Sequence, residues 1–430
     1  MSPVRRLTAL GIAGTVLIGL GMPLLQSFGD DAFLALVCAC GVIAVLAARL
    51  EEIPGPRALA IIVGAGLAMR LLALSAPPIL STDIFRYVWD GIVQGAGINP
   101  YRYVPADPAL TFLRDAQVYP FINRADYAVT IYPPVAQAFF FLVTRISTNP
   151  LAIKIGLVAC EGMTIVALVG LLRLTGQSET RVAAYAWHPL PVWEIAGQGH
   201  IDGLMIALMM LGLWLALVLG RRYAGAAAIV LAALAKPFAL IALRPVAALG
   251  LADGRPRAGR HRARLPPLPV RRERRARLPR RGLRRRAGPV LGLGFHAAAA
   301  LAQSVGEWPH DTQIYLVLCI VILTVLALRT GFRRTRTPER TVRDINCSIV
   351  TLLFLLSPEF PWYLLMAVPF LSVAATLPGW VLTVGGFMLY DVVPGDPQLS
   401  YDARSAILAA LVATAALVQV GIRRRSGVIR

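Results

Sequence analysis

Asp83, Arg86, Tyr87 and Asp90 are the first residues able to do chemistry, spaced i, i+3, i+4 and i+7 in STDIFRYVWDGIVQGAGINPYRY (81–103). That repeat lines up one face of a short helix, and Ser81 or Thr82 can cap it. A carboxylate beside a guanidinium and aromatic rings suits a general base in a sugar-binding cleft. The same spacing fits a helix-stabilising ion pair at a lipid interface, where Tyr87, Trp89, Tyr101 and Tyr103 form an aromatic belt. Spacing alone leaves both readings standing.

A second cluster, His188, Glu194, His200 and Asp202, lies in AWHPLPVWEIAGQGHIDGLMIAL (186–208), around a Gly-Gln-Gly turn between apolar runs. Polar groups at such a place are costly without partners or water, and so mark a functional site. His200 and Asp202 at i, i+2 make a poor metal pair, and the chain has no Asp-x-Asp motif. Hydroxyl recognition by Glu194, His200 and Asp202 is the better expectation, with no metal and no cofactor. Lys236-Pro237 breaks a third apolar run and frees backbone groups that only a protein-lined cavity accommodates at membrane depth. Lys236 can neutralise a lipid phosphate there or snorkel to the interface. SPEFPWY (357–363) places Trp362 and Tyr363 at the end of another run. Glu161, inside the apolar stretch 151–172, is either a buried structural partner or part of a proton path. The five cysteines sit in apolar stretches without metal-ligand spacing and read as small core side chains.

Membrane helices must position these residues. Hydrophobic residues make up 57% of the 430 and charged ones 15%, against about 45–50% and about 25% in soluble domains. That composition excludes a soluble protein. Residues 7–27, 32–48, 58–75, 151–172, 201–220 and 405–422 are the clearest candidate spans. Shorter or interrupted candidates are 182–198, 223–250, 314–329, 345–357, 363–376 and 378–390. The expected fold is all-α, a polytopic membrane protein of about ten to twelve transmembrane helices. The basic N-terminus followed by a long apolar run without an A-x-A site reads as an uncleaved first span. Arginines in short loops put Arg5, Arg6, Arg49, Arg57 and Arg423–Arg425 on the cytoplasmic side. Residues 76–130 then form a large first outer loop, 131–147 lie at the interface or re-enter, and both chemical clusters face the extracytoplasmic side. The expected organisation is a membrane module over 1–250, an aberrant or disordered segment over 251–313 and C-terminal membrane helices over 314–430.

The formal net charge of +20 would suggest a nucleic-acid surface if it were spread over the chain, but residues 251–290 alone carry fifteen Arg against one Asp and one Glu. The other residues hold only +7, a positive-inside signal rather than a nucleic-acid surface. Thirty-five of those forty residues are Arg, Pro, Ala, Gly or Leu, the output of a GC-rich coding region read out of frame. A frameshift near 250–255, restored before about 314, is expected. The alternative is a polybasic loop that attracts anionic lipid.

DIFRYVWDG with GINPYRY, IYPPVAQ, GQGHIDGLM, KPFAL and SPEFPWY, in that order, resemble the bacterial GT-C-type glycosyltransferases. The resemblance is to the polyprenol-phosphate-mannose-dependent mannosyltransferases and the related membrane families of glycosyltransferase family 87, and covers most of the chain outside roughly 251–313. It implies an inverting transferase of the inner (plasma) membrane that moves a hexose, with mannose the expected sugar. The donor would be a polyprenyl-phosphate sugar and the acceptor an extracytoplasmic glycan or glycolipid, among membrane lipids and without nucleic acid. It implies Asp83 as catalytic base; Arg86 or Lys236 would then stabilise the charge on the departing polyprenyl phosphate, and Arg86, Tyr87, Asp90, Asn99, Tyr101, Tyr132, Glu194, His200, Asp202, Lys236, Trp362 and Tyr363 are expected to bind substrate. The Arg-rich segment departs from the family by replacing an expected helix and outer loop. The rival reading is a lipid or small-molecule transporter or flippase, because broken helices with intramembrane polar groups also build transport sites.

Overall fold

The computed structural model describes residues 1–51, 53, 55–247, 292–295, 311–331, 337–356, 360–390 and 399–425. The Arg-rich window 251–290, and with it the expected frameshift, lies outside the described residues, as do 357–359 and 391–398. No strand occurs among the described residues, and the fold is an all-α membrane bundle. Among the described residues, six helices are long and apolar enough to cross a bilayer: Pro3–Ser27, Asp31–Ala48, Gly55–Leu74, Pro150–Leu174, Thr312–Thr330 and Tyr401–Arg425. Large apolar side chains such as Ile12, Leu71, Val166, Ile320 and Leu417 point outward from these helices, as lipid-facing residues do.

Five further apolar helices among the described residues are only 10–17 residues long: Pro134–Thr144, Asp202–Val218, Arg222–Ala233, Pro361–Val373 and Leu377–Leu389. Some runs expected as spans are therefore interrupted crossings. Over 182–198, Pro189 and Pro191 remove backbone donors, and the chain passes through a π-helical turn at Val192–Gly197. Run 201–220 is shortened to Asp202–Val218, its last turn also π-helical. Run 345–357 begins earlier, as the helix Pro338–Leu356, whose Arg340, Arg343, Asp344 and Asn346 keep it from the apolarity of a span.

In chain order, α1 (Pro3–Ala48) is two spans meeting at Gly29, where φ 77° and ψ −167° leave the helix. It packs on α2 (Gly55–Leu74). The short α3 (Asp83–Gly95) and α4 (Pro134–Thr144) pack on each other, and α5 (Pro150–Leu174) packs on α6 (Asp202–Leu213), which packs on α7 (Arg222–Ala233). Later in the chain come the long helices α8 (Asp311–Gly331) and α9 (Pro338–Leu356), the short α10 (Leu377–Gly385) and the long α11 (Tyr401–Arg425). Two sets of contacts fix which helix ends lie together. Lys154, in the first turns of α5, donates to the Ala76 carbonyl just past α2 at 2.7 Å. Beyond the last turn of α5, Arg181 faces Glu51, between α1 and α2, at 3.8 Å. Hence α5 begins where α2 ends, and residues 131–149 start and finish at the same end of the bundle. The 11 residues of α4 cover about 16 Å at 1.5 Å per residue, half of the roughly 30 Å hydrocarbon core.

α3 ends in a glycine-terminated motif in which Gly97, at φ 75°, donates to the Gln94 carbonyl while Ile98 donates to the Val93 carbonyl. Where α3 crosses α4, a Cβ on Gly91 would lie 2.4 Å from Thr144 Oγ1 and 2.6 Å from the Phe140 carbonyl oxygen. Only glycine allows that approach. Gly91→Ala is therefore expected to push the two helices apart at a cost of about 1–3 kcal/mol, read as a lowered unfolding midpoint in detergent.

Candidate active site

Asp83 is the first residue of α3, where the helix dipole favours a carboxylate. The Ser81 hydroxyl accepts the Asp83 backbone N–H at 3.2 Å, while Thr82 makes no side-chain cap. Each carboxylate oxygen has one partner from the long loop or its exit: Asn123 Nδ2 donates to Oδ1 at 2.7 Å, and the Tyr132 hydroxyl to Oδ2 at 3.3 Å. Burial, followed by the Asp83 charge, pushes the Tyr132 phenol well above its usual range, so it stays a neutral donor. Tyr87 behaves likewise through burial, Tyr132 and then Asp83; its ring stacks on Phe140 at 4.6 Å and meets Tyr132 edge-on at 4.9 Å. Asp83 itself remains partly exposed.

A cavity of about 630 Å³ opens beside it. Its walls include Asp83, Arg86, Tyr87, Tyr132, Lys236, Trp362 and Tyr363, all expected from the sequence, together with Asn123, Arg124, Phe238 and Phe360, which sequence reasoning missed. Pro237 stops α7, and Lys236 adopts extended backbone (φ −155°, ψ 125°) that turns its side chain toward the cavity. The ammonium contacts both Asp202 oxygens, at 2.8 and 2.6 Å, and sits 4.1 Å from the centre of the Tyr363 ring. Trp362 is sandwiched: His200 stacks on it at 4.2 Å and Phe360 at 4.4 Å. Both indole faces are filled, so Phe360, 44% exposed, presents the aromatic surface of this stack.

The other expected site residues do not line this cavity. Asp90 is buried, held by Arg86 Nε at 3.0 Å, Gln137 Nε2 at 2.8 Å and the Thr130 hydroxyl at 2.5 Å. Burial raises its carboxyl above the ordinary range, with those donors opposing the shift. It locks α3 to α4, so in the Arg86–Asp90 pair the helix-stabilising reading of the spacing prevails. Asn99 is exposed and accepts the Tyr101 backbone N–H at 2.9 Å, a turn-forming bond. The Tyr101 hydroxyl donates to the Tyr132 carbonyl at 2.6 Å and braces that residue from behind. Glu194 and His200 lie wholly buried behind Trp362, with His200 Nε2 3.4 Å from Glu194 Oε2 and the Tyr390 hydroxyl 2.5 Å from Glu194 Oε1. Asp202 reaches the cavity only through Lys236.

His188 and Glu161 belong to the scaffold. His188 Nδ1 accepts the Leu190 N–H at 3.1 Å, which leaves Nε2 to donate to the Thr383 hydroxyl at 3.0 Å. Glu161 accepts from Arg70 Nε at 2.9 Å, Arg70 Nη2 at 2.6 Å and the Tyr185 hydroxyl at 3.0 Å, all buried. Among the described residues, no three His, Cys, Asp or Glu side chains cluster as metal ligands.

Residues 22–252, more than half of the chain, match the family model described as "Alpha-(1->6)-mannopyranosyltransferase, N-terminal domain". Neither a search of curated proteins nor one of solved structures found a match. The matched region holds Asp83, Tyr132, Asp202 and Lys236, and stops short of Trp362 and Tyr363. An enzyme family replaces the transporter reading of the broken helices. The chain belongs to the alpha-(1->6)-mannopyranosyltransferase family and is a membrane-embedded mannosyltransferase.

Proposed function

We propose that the protein transfers mannose from a polyprenyl-phosphate carrier to a hydroxyl of an extracytoplasmic glycan or glycolipid, with inversion and with Asp83 as general base. The observation that carries this reading is the pairing, in one cavity, of a partly exposed carboxylate oriented by Asn123 and Tyr132 with a wall that is both basic and apolar. The acceptor oxygen attacks the anomeric carbon as its proton passes to Asp83. The C1–O bond to phosphate breaks through an oxocarbenium-like transition state, and its electron pair stays on the phosphate. The family's activity makes the new bond α-(1→6), so the attacking group is a primary hydroxyl and inversion requires a β-linked donor. Ile79, Leu80, Val129, Ile131 and Phe238 along the same walls suit a prenyl chain.

The facing of the site follows from charge. Arg5, Arg6, Arg49, Arg57, Arg173 and Arg181 gather at the bundle end away from the cavity. Gln419 Oε1 accepts the Leu377 N–H at 2.6 Å, at the other end of α10 from the cavity, which brings Arg423–Arg425 to the basic end as well. The positive-inside rule then turns the cavity to the extracytoplasmic face. The test is transfer of labelled mannose by the purified protein from a prenyl-phosphate mannose, compared with a nucleotide-linked mannose. Transfer from the nucleotide donor alone overturns the donor class.

A further inference from the structure

Three cations line the cavity, and two are already committed. Arg86 donates to Asp90 and to the Ala128 carbonyl, each at 3.0 Å. Lys236 is neutralised by Asp202 at 2.6 Å. Arg124 is exposed on the cavity wall and has no ion pair or side-chain hydrogen bond among the described residues. Arg124 and Lys236 both lie within electrostatic reach of the Tyr363 hydroxyl, so the free guanidinium shares the cavity with the paired ammonium.

The backbone at Arg124 is also unusual. Its φ of 55° makes it the one non-glycine residue with positive φ among those described, a conformation that persists only where the surroundings hold it and that gathers at functional sites. The residue before it, Asn123, donates to Asp83. One strained turn thus delivers the group that orients the carboxylate and an uncommitted guanidinium. A planar guanidinium can grip two phosphate oxygens at once, which an ammonium already paired with a carboxylate does poorly.

We propose that Arg124 is a catalytic residue, the cation that grips the donor's phosphate and stabilises the negative charge left on it as the C1–O bond breaks. This rests on the prenyl-phosphate donor reading. In the balanced step the leaving phosphate keeps the bonding electron pair, Arg124 stays protonated throughout, and the acceptor's proton ends on Asp83.

The test uses full-length protein in detergent micelles, titrated with a short-chain prenyl phosphate and followed by tryptophan fluorescence, beside single-turnover mannose transfer. Arg124→Gln is expected to weaken prenyl phosphate binding by about tenfold to a hundredfold, the worth of a charged hydrogen-bonding contact. It should slow transfer by about a hundredfold or more. Arg124→Lys should fall between it and the parent. Arg124→Gly relieves the left-handed strain and keeps the turn, so it should fold at least as well yet be as slow. Millimolar guanidinium is expected to restore part of that lost rate, which it would not do for a residue that only shapes the loop. Unchanged prenyl phosphate affinity in Arg124→Gln overturns the role of Arg124 and leaves the donor reading standing. Failure of the parent protein to bind prenyl phosphate at all overturns the donor reading and this role with it.

Discussion

Asp83→Asn is expected to lower the transfer rate by about 10²–10⁴-fold, the usual worth of a general base, with donor binding unchanged. The substitution is nearly isosteric. Its amide oxygen can still accept from Asn123 at the Oδ1 position, and the Tyr132 hydroxyl, which donates to Oδ2 at 3.3 Å, can turn to accept from the new NH₂ group. Only the charge and the ability to take a proton are lost. The loss of charge at the start of α3 costs about 0.3–1 kcal/mol of stability, too little to unfold the protein. Single-turnover transfer of labelled mannose, beside prenyl phosphate titration, separates the two effects. Transfer by Asp83→Asn at the parent rate would refute the base. Asn123→Ala should act in the same direction and more weakly, slowing transfer by roughly 10- to 100-fold through a carboxylate free to rotate.

The two ion pairs at the cavity explain why Asp83 can serve as a base in a site rich in cations. Arg86 is tied to Asp90 and Lys236 to Asp202, so neither of these two cations bonds to the Asp83 carboxylate. Its partners are neutral: an amide and a phenol. Neutral donors orient the oxygens while leaving lone pairs for the acceptor's proton, whereas a bidentate guanidinium would occupy both oxygens and hold them ionised.

The sequence made the membrane class, the shared polar face of α3 and the break at Lys236-Pro237 legible, because each depends on local composition or on a repeat within one element. The rest depended on residues far apart in the chain. Asp90 shares its helical face with Asp83 by spacing, yet Thr130 and Gln137 from the other side of the loop claim it. Asn123 and Arg124 lie in irregular backbone with no period to mark them. Trp362 was expected to bind substrate, but His200, from the distant 186–208 segment, stacks on its ring. The sequence already set 182–198 apart as a shorter or interrupted run, and Pro189, Pro191 and a π-helical turn interrupt it; the π-helical turn that ends 201–220 had no such marker.

Breaking the Arg70–Glu161 pair is expected to have the largest effect on stability, about 3–5 kcal/mol for loss of one partner of a buried ion pair. The pair joins α2 to α5 through two short bonds. Arg70 Nη1 also donates to the carbonyls of Gly66, at 3.1 Å, and Ala186, at 2.7 Å, which ties both helices to the interrupted crossing that begins at residue 183. Every Glu161 oxygen is used, so the carboxylate has no lone role left in carrying protons through the span. Glu161→Gln leaves a buried guanidinium without its counter-charge and should lower the unfolding midpoint in detergent sharply. The triple replacement Arg70→Met, Glu161→Leu, Tyr185→Phe removes the charges and the hydroxyl together and should recover most of that loss, since an apolar core of similar volume is often as stable as a buried pair. Mannose transfer separates the two roles first proposed for Glu161. A refolded triple variant that transfers mannose at the parent rate establishes a structural pair. One that regains the parent midpoint without regaining turnover would return Glu161 to a proton path.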